Sequence, residues 1–327
     1  MIFFGPRVNS VYNKETIGGG TVLFENLISV IKKKYSFINT NGNSNFLVNT
    51  ILYNIKLTFI YITVRTKKVL FVAHRQAILF MFIDFFIRRK SVYRLIGGNF
   101  DFWFKSRFIK FVLRKNARNI TIFCELPKDV DFFQKFKVKA IIQENFRDLV
   151  VSENNSNNLK SPKKVIGFMG RVCSEKGIFE FINLAKSCPK HDFIIVGPFQ
   201  TEDDKVYVEK SENELNNLVY KGVLEHSKID DFFNQINIFF FHSNHIGEGK
   251  PGVLVEALIR KKPVLTNYLV ACKNWNNFYN NNNIVLSENY LRTITNFDFN
   301  KIIFSNKDLQ IFSAKFCYKQ IIKILKE

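Results

Sequence analysis

The sequence predicts an α/β protein made of two doubly wound parallel-sheet domains. Three observations predict it. A chain of 327 residues is long enough for two domains, each with its own core. Short apolar runs of strand length alternate with amphipathic helical stretches, which is the pattern of βαβ units. Near the middle, residues 152–164 have no apolar period and are rich in Asn and Ser, as a linker is. The predicted division is 1–151, a linker at 152–164, a second domain at 165–306 and a terminal helix at 307–327.

The elements follow in order. Ile2 to Phe4 is a short strand, followed by a loop that ends in Gly18-Gly19-Gly20. A helix from about Thr21 to Lys34 buries Val22, Leu23, Leu27, Ile28 and Ile31, with Thr21 as its cap and lysines at its C-terminal end. Strand, glycine loop and helix can cradle a phosphate, though neither Gly-x-Gly-x-x-Gly nor a Walker lysine is present; a flexible connector is the other reading. Val69 to Ala73 and Val92 to Ile96 are buried strands. Ala117 to Phe123 is a strand, Asp129 to Phe136 a helix and Lys139 to Ile142 a last strand.

The second half opens with the strand Val165 to Met169, then Gly170-Arg171, a short loop, Lys176-Gly177, and a helix carrying Ile178, Phe181, Ile182 and Ala185. Cations at a helix start oppose its dipole and need a compensating partner. A diphosphate supplies one, since Arg grips two oxygens and Lys adds a point charge. Phe193 to Val196 is the next strand, then Tyr220 to Leu224, then a capped helix start at Ser227. Ile236 to Phe241 is a buried strand, His242 to Lys250 a loop, and a helix begins with Pro251 at its first position and stops before Pro263. Val264 and Leu265 start another strand, and the Asn run 280–283 is a loop.

The amides of Gly252, Val253 and Leu254 open that helix and form a natural anion seat. Glu248 and Glu256 flank the seat. A carboxylate repels phosphate, so the two glutamates suit hydroxyls on either side of it: ribose, diphosphate, sugar. A surface loop Glu and an ordinary exposed helix Glu is the alternative reading. His242 and His245 stand three apart in the loop, but no third metal ligand is evident, so no metal site is expected.

Glu248-GKPGVLV-Glu256, followed by Ala-Leu and Lys-Pro-Val, resembles the Glu-x7-Glu signature of the retaining family 4 glycosyltransferases. Gly170-Arg171 with Glu-Lys176-Gly177 resembles that family's second signature. The resemblance is specific over about Val165 to Leu265 and looser before it. It implies the GT-B fold: two Rossmann-like doubly wound parallel-sheet domains facing a cleft, with a terminal helix able to cross back onto the first. It implies that Glu256 holds the ribose hydroxyls and Glu248 a hydroxyl of the donor sugar. The diphosphate is expected on Arg171, Lys176 and the helix at Gly252, without a metal and without a resident cofactor. Gly19 and Gly20 then face the donor phosphates or the acceptor, and backbone at Gly222-Val223 lies beside the base. The family's usual acceptor-side histidine is replaced by Ile96-Gly97-Gly98. Asp101, in Gly97-Gly98-Asn99-Phe100-Asp101, is a candidate acceptor contact or a helix N-cap.

Composition narrows the function further. Hydrophobic content of 46% excludes a disordered chain, and 37 Phe among many Asn, Lys and Ile reflect an AT-biased coding sequence. The net charge of +20 favours polyanions: nucleic acid, an anionic membrane surface or phosphorylated substrates. Lysines are spread along the chain, which speaks against a nucleic-acid arm. Five cysteines without a Cys-x-x-Cys pair fit a reducing cytosol, and no signal peptide is read at Met1 to Arg7. The longest apolar run, Ala77 to Ile87 before Arg88-Arg89-Lys90, is too short to span a bilayer and contains Asp84. A buried or half-buried helix is preferred; the alternative is a helix in the membrane interface with its basic cluster on anionic headgroups.

The expectation is a retaining transferase that moves a sugar from a nucleotide-diphosphate sugar to a glycan or lipid-linked acceptor in capsule or lipopolysaccharide-type synthesis. It would work in the cytoplasm, peripheral to the inner face of the plasma membrane. Two rivals remain: a basic nucleic-acid-binding protein, and a non-catalytic sugar-nucleotide-binding homologue. A redox enzyme lacks its glycine fingerprint here.

Overall fold

The computed structural model describes residues 1–7, 19–31, 35–40, 47–96, 104–147, 162–244, 249–267 and 275–326. The chain folds as two compact units. The first comprises Met1–Asp148 with Lys250 and Ile311–Glu327; the second comprises Leu149–Ile246 and Pro251–Gln310. Most of the expected linker lies outside the described residues.

The first unit is a six-stranded parallel sheet in the order β2-β1-β3-β4-β5-β6. The strands are β1 (Ile2–Gly5), β2 (Ser36–Asn39), β3 (Lys68–Ala73), β4 (Ser91–Ile96), β5 (Ile120–Cys124) and β6 (Lys139–Ile142). Side chains alternate between two buried faces, as a sheet covered on both sides requires. Phe4, Leu70, Val72 and Tyr93 face the helices α2 (Leu47–Thr63), α3 (His74–Ile87), α4 (Arg107–Asn116) and α5 (Pro127–Gln134). Phe3, Val69, Phe71 and Val92 face α1 (Gly19–Ile31) and, from the far end of the sequence, a helix Ala314–Lys326.

Sequence reading and structure differ here in four ways. The helix predicted from Thr21 begins at Gly19, so Thr21 lies inside it and does not cap it. Neither β2, α2 nor α4 is predicted. The strand predicted at Ala117–Phe123 starts at Ile120, because Ala117 still closes α4. The helix predicted at Asp129–Phe136 runs from Pro127, with proline at its start.

One polar cluster is buried in the first core. Asp84 accepts hydrogen bonds from Tyr61 Oη at 2.8 Å and Tyr93 Oη at 2.6 Å. Burial pushes the Asp84 carboxyl up, and the hydrogen bonds from Tyr93 and Tyr61 oppose that. Lys68 Nζ stacks 3.9 Å from the Tyr61 ring centre, and burial pushes its ammonium down. The one acid of α3 is therefore turned inward.

The second unit is also a six-stranded parallel sheet, β12-β11-β10-β7-β8-β9. Its strands are β7 (Val165–Met169), β8 (Asp192–Val196), β9 (Leu218–Tyr220), β10 (Ile238–Phe241), β11 (Val264–Thr266) and β12 (Ile284–Leu286). Winding runs outward from β7 through β8 to β9, then returns to the other side of β7 at β10. That reversal is a topological switch point, where the chains leaving two adjacent strands diverge and open a crevice. Phe168 and Phe240 pack against α6 (Ile178–Ser187), while Phe239 meets Phe233 of α8 (Ile229–Gln235) on the opposite face. The unit's other α-helices among the described residues are α7 (Glu202–Glu214), α9 (Gly252–Ile259), α10 (Asn276–Asn280), α11 (Tyr290–Asn296) and α12 (Asn306–Leu309).

Two expectations shift in this unit. The strand expected at Tyr220–Leu224 lies earlier, at Leu218–Tyr220, and Ser227 bonds to Glu225 instead of capping α8. The single terminal helix expected from Lys307 is two helices, α12 and α13 (Ala314–Lys326), broken around Ser313. Ser313 pairs with Arg147, and Ala314 N–H donates to the Arg147 carbonyl.

Candidate functional site

Both sequence signatures leave the two strands that flank the switch point of the second unit. Gly170-Arg171 follows β7, and the loop from His242 follows β10, its partner in register (Phe240 with Phe168). Backbone holds the first signature in place: Gly170 N–H donates to the Val196 carbonyl at 3.0 Å and Val172 N–H to the Pro198 carbonyl at 2.8 Å. Gly197 permits this approach. Its φ is +138°, and a Cβ there would lie 1.7 Å from the Gly170 oxygen. Gly197→Ala is expected to lower stability by about 2–3 kcal/mol, because neither backbone can give way; a urea melt unchanged from wild type would refute it.

Arg171 is exposed, and its guanidinium donates to the Gln200 side-chain oxygen at 3.5 Å. Lys176 ends the one-turn helix Ser174–Lys176, half-buried, directly before Gly177 with φ +79°. A Cβ on Gly177 would meet His242 Cβ at 2.3 Å, so the two loops touch through a glycine. Asn244 N–H also donates to the Glu175 carbonyl at 2.9 Å. The loops after β7 and β10 are thus stitched into one surface.

His242 is a buried part of that stitching. Its Nδ1 lies 2.8 Å from Tyr290 Oη, and its Nε2 lies 3.4 Å from Asn267 Nδ2 and 3.6 Å from Glu180. Burial pushes the imidazolium pKa down, with Glu180 opposing. His245 lies outside the described residues. Among the described residues no group of three His, Cys, Asp or Glu could hold a metal.

The helix α9 corrects one detail of the anion seat. Pro251 is the N-cap, with ψ 126°, and Gly252 is the first helical residue. Leu254 N–H donates back to the Pro251 carbonyl at 3.1 Å, so the outward amides are those of Gly252 and Val253. Leu254, Val255, Ala257 and Leu258 are fully buried. Glu256 is not an ordinary exposed helix residue: it is 5% exposed. Arg260, one turn on, pairs with the Glu256 carboxylate and with Asp230 at 2.6 Å, and lies 5.1 Å from the Phe233 ring centre. The missed signal was the Glu-to-Arg spacing of four, which puts both on one helix face. Glu248 lies outside the described residues.

In the first unit Gly19 and Gly20 open α1 and are not part of a loop. A Cβ on Gly20 would meet Ile96, the last residue of β4, at 2.9 Å. Asp101 lies outside the described residues. An ionic network that sequence reading missed stands at the carboxyl ends of β4, β5 and β6. Arg94 is wholly buried and bonds to Glu125 at 3.3 Å and Asn145 at 2.8 Å. Lys250 N–H donates to Glu125 at 3.2 Å, and its ammonium pairs with Glu144. Burial pushes the Lys250 ammonium down, with Glu144 opposing.

Two doubly wound parallel sheets, one with paired signatures at its switch point, define the GT-B class of glycosyltransferase folds. Residues 152–273 match the model of the family described as Glycosyl transferases group 1. The chain is 25% identical over 223 residues to a processive diacylglycerol alpha-glucosyltransferase of Acholeplasma laidlawii, and spans 63% of that protein's length. Among solved structures it is similar to HepE of Anabaena, solved with UDP, at a TM-score of 0.69 and 14% identity, covering 99% of both chains. It is also similar to a glycosyltransferase of Rickettsia africae at a TM-score of 0.64 and 16% identity, covering 99% of this chain and 97% of that one.

Proposed function

We propose that this chain transfers a sugar from a nucleoside-diphosphate sugar to a glycan or lipid-linked sugar acceptor, with retention at the anomeric carbon, in surface polysaccharide synthesis. One observation carries the reading. The loop with Arg171 and Lys176 and the loop leading to α9 leave adjacent strands at the switch point, and Glu256 is buried one turn inside α9. Glu256 accepts the two ribose hydroxyls, its charge held in place by Arg260. The diphosphate lies on the Gly252 and Val253 amides, with Arg171 and Lys176 as its counter-charge in place of a metal. Glu248 takes a hydroxyl of the donor sugar.

In the reaction the bond from the anomeric carbon to the diphosphate oxygen breaks, and the acceptor oxygen bonds to that carbon from the same face. The acceptor proton passes to the leaving diphosphate. No protein carboxylate forms a covalent intermediate, so the two-carboxylate scheme of glycoside hydrolysis does not apply to Glu248 and Glu256. The protein's task is to stabilise charge on the leaving group.

The test is calorimetric titration with uridine and guanosine diphosphates. HepE was solved with UDP, which makes the uridine nucleotide the first to try. Glu256→Ala is expected to weaken binding by about 100-fold, from the loss of two hydrogen bonds to a charged acceptor. Absence of saturable binding to either nucleotide, with salt-sensitive binding to a random oligonucleotide, would overturn the proposal in favour of a nucleic-acid protein.

A further inference from the structure

Three helices of the first unit turn an apolar face outward. Among the described residues sixteen large hydrophobic side chains are exposed, and eight of them lie on α2, α3 and α4. The helix α3 packs on both of the others. Phe59, Phe86 and Phe108 keep 67%, 66% and 57% of their surface in water. The rings on α3 and α4 form one cluster: Phe82 lies 5.1 Å from Phe86 and 5.7 Å from Phe108, and Phe85 lies 5.0 Å from Phe86 and 6.0 Å from Phe111. Single exposed hydrophobics are ordinary on a protein surface, but a contiguous aromatic patch spanning two helices is not.

The charge around this patch is one-sided. Residues 47–118 hold fifteen Lys and Arg, of which Lys68 and Arg94 are buried, against two Asp. Of those two, Asp84 is buried beneath the patch by Tyr61 and Tyr93, and Asp101 lies outside the described residues. On α4, Arg107, Lys110, Arg114 and Lys115 are interleaved with Phe108 and Phe111. Arg88 and Arg89 follow α3 directly, and Arg89 donates to the carbonyls of Ile62 and Val64, which ties the end of α2 to the end of α3.

We propose that the outer face of α2, α3 and α4 docks on a bilayer containing anionic phospholipid, with the phenylalanines in the acyl boundary and the arginines and lysines on the headgroups. No helix among the described residues is long and apolar enough to cross a membrane, so this is adsorption to one leaflet. A second copy of the chain is the poorer occupant, because it brings the same positive rim against this one. A nucleic acid satisfies the charge but not the patch, since Ile55, Ile62 and Leu79 have no ring face on which a base could stack. The apolar rings give depth and the basic residues give preference for negative lipid; each Lys or Arg near such a surface is worth about fivefold in partitioning. The inference does not depend on the sugar-transfer reading.

The experiment is flotation of the full chain with vesicles of phosphatidylcholine alone and of equimolar phosphatidylcholine and phosphatidylglycerol. Strong partitioning to the anionic vesicles, weakened by salt, is expected. Phe86→Ser with Phe108→Ser should lower it by about tenfold or more, and Arg107→Glu with Lys110→Glu should remove the preference for phosphatidylglycerol. Phe86→Trp is a gentler probe, whose added fluorescence should be quenched by acyl-brominated lipid. The proposal fails if wild type floats no better with anionic vesicles than without, or if both double variants partition like wild type while Phe86→Trp escapes quenching. It also fails if the phenylalanine variant instead abolishes oligonucleotide binding or a lipid-free dimer and leaves flotation unchanged.

Discussion

Lys176→Ala is expected to lower kcat by about 10²–10³ and to change KM for the donor far less. On the proposed reaction path the diphosphate gains negative charge as its bond to the sugar breaks. A cation beside it is then worth more in the transition state than in the bound substrate, which is the condition for an effect on kcat. The size is that of removing one preorganised charge-stabilising donor from an active site. Lys176 is suited to this by its place: half-buried, at the end of a single helical turn, with the positive-φ Gly177 and the buried His242 behind it. Arg171 is exposed and loosely held, so Arg171→Ala should act more on donor binding. Steady-state kinetics with the donor found by titration separates the two. Equal losses in both parameters for both variants would mean that the pair merely attracts the donor.

The second large effect concerns stability. Arg94→Ala is expected to cost about 3–5 kcal/mol, because it leaves Glu125 buried without its cation. Removing charge from both, in Arg94→Met with Glu125→Gln, should recover much of the loss, since desolvation of the pair offsets much of its attraction. Urea denaturation measures both. A single variant within about 1 kcal/mol of wild type would mean the network is hydrated and worth no more than a surface pair.

The parallel sheets were legible because their strands are buried on both faces and read as compact apolar runs, such as Val69 to Ala73 and Phe193 to Val196. The helix α2 was not, because it carries large apolar residues, Phe59 among them, on its outer side as well as its inner side, which blurs the one-sided pattern that identifies a soluble helix. The helix α4 is strongly one-sided, with Val112 and Leu113 inward and Arg107, Arg114 and Lys115 outward, so its signal was present in the sequence and was missed. The edge strand β2 is four residues long, with a partly exposed sequence that resembles a loop. In the candidate site, local spacing revealed the residues near α9 and β7. It could not reveal Lys250 with Glu125 and Glu144, which are 125 and 106 positions away in sequence and leave no periodic trace. The start of α9 was misplaced by one residue because proline's favoured place is the first helical position, whereas Pro251 stands one residue earlier, at the N-cap.

The helix α13 has a bearing on how the chain is made. Its Ala314, Cys317, Ile321 and Leu325 cover the sheet face that Phe3, Val69, Phe71 and Val92 present, together with α1. Synthesis from the ribosome completes that face at Val92 and delivers its cover about 220 residues later, at roughly 5–20 residues per second. All contacts within the second unit except its own closing turns can form during the wait. The first unit is therefore begun first and finished last, and its half-covered sheet is the nascent surface for a chaperone to shield.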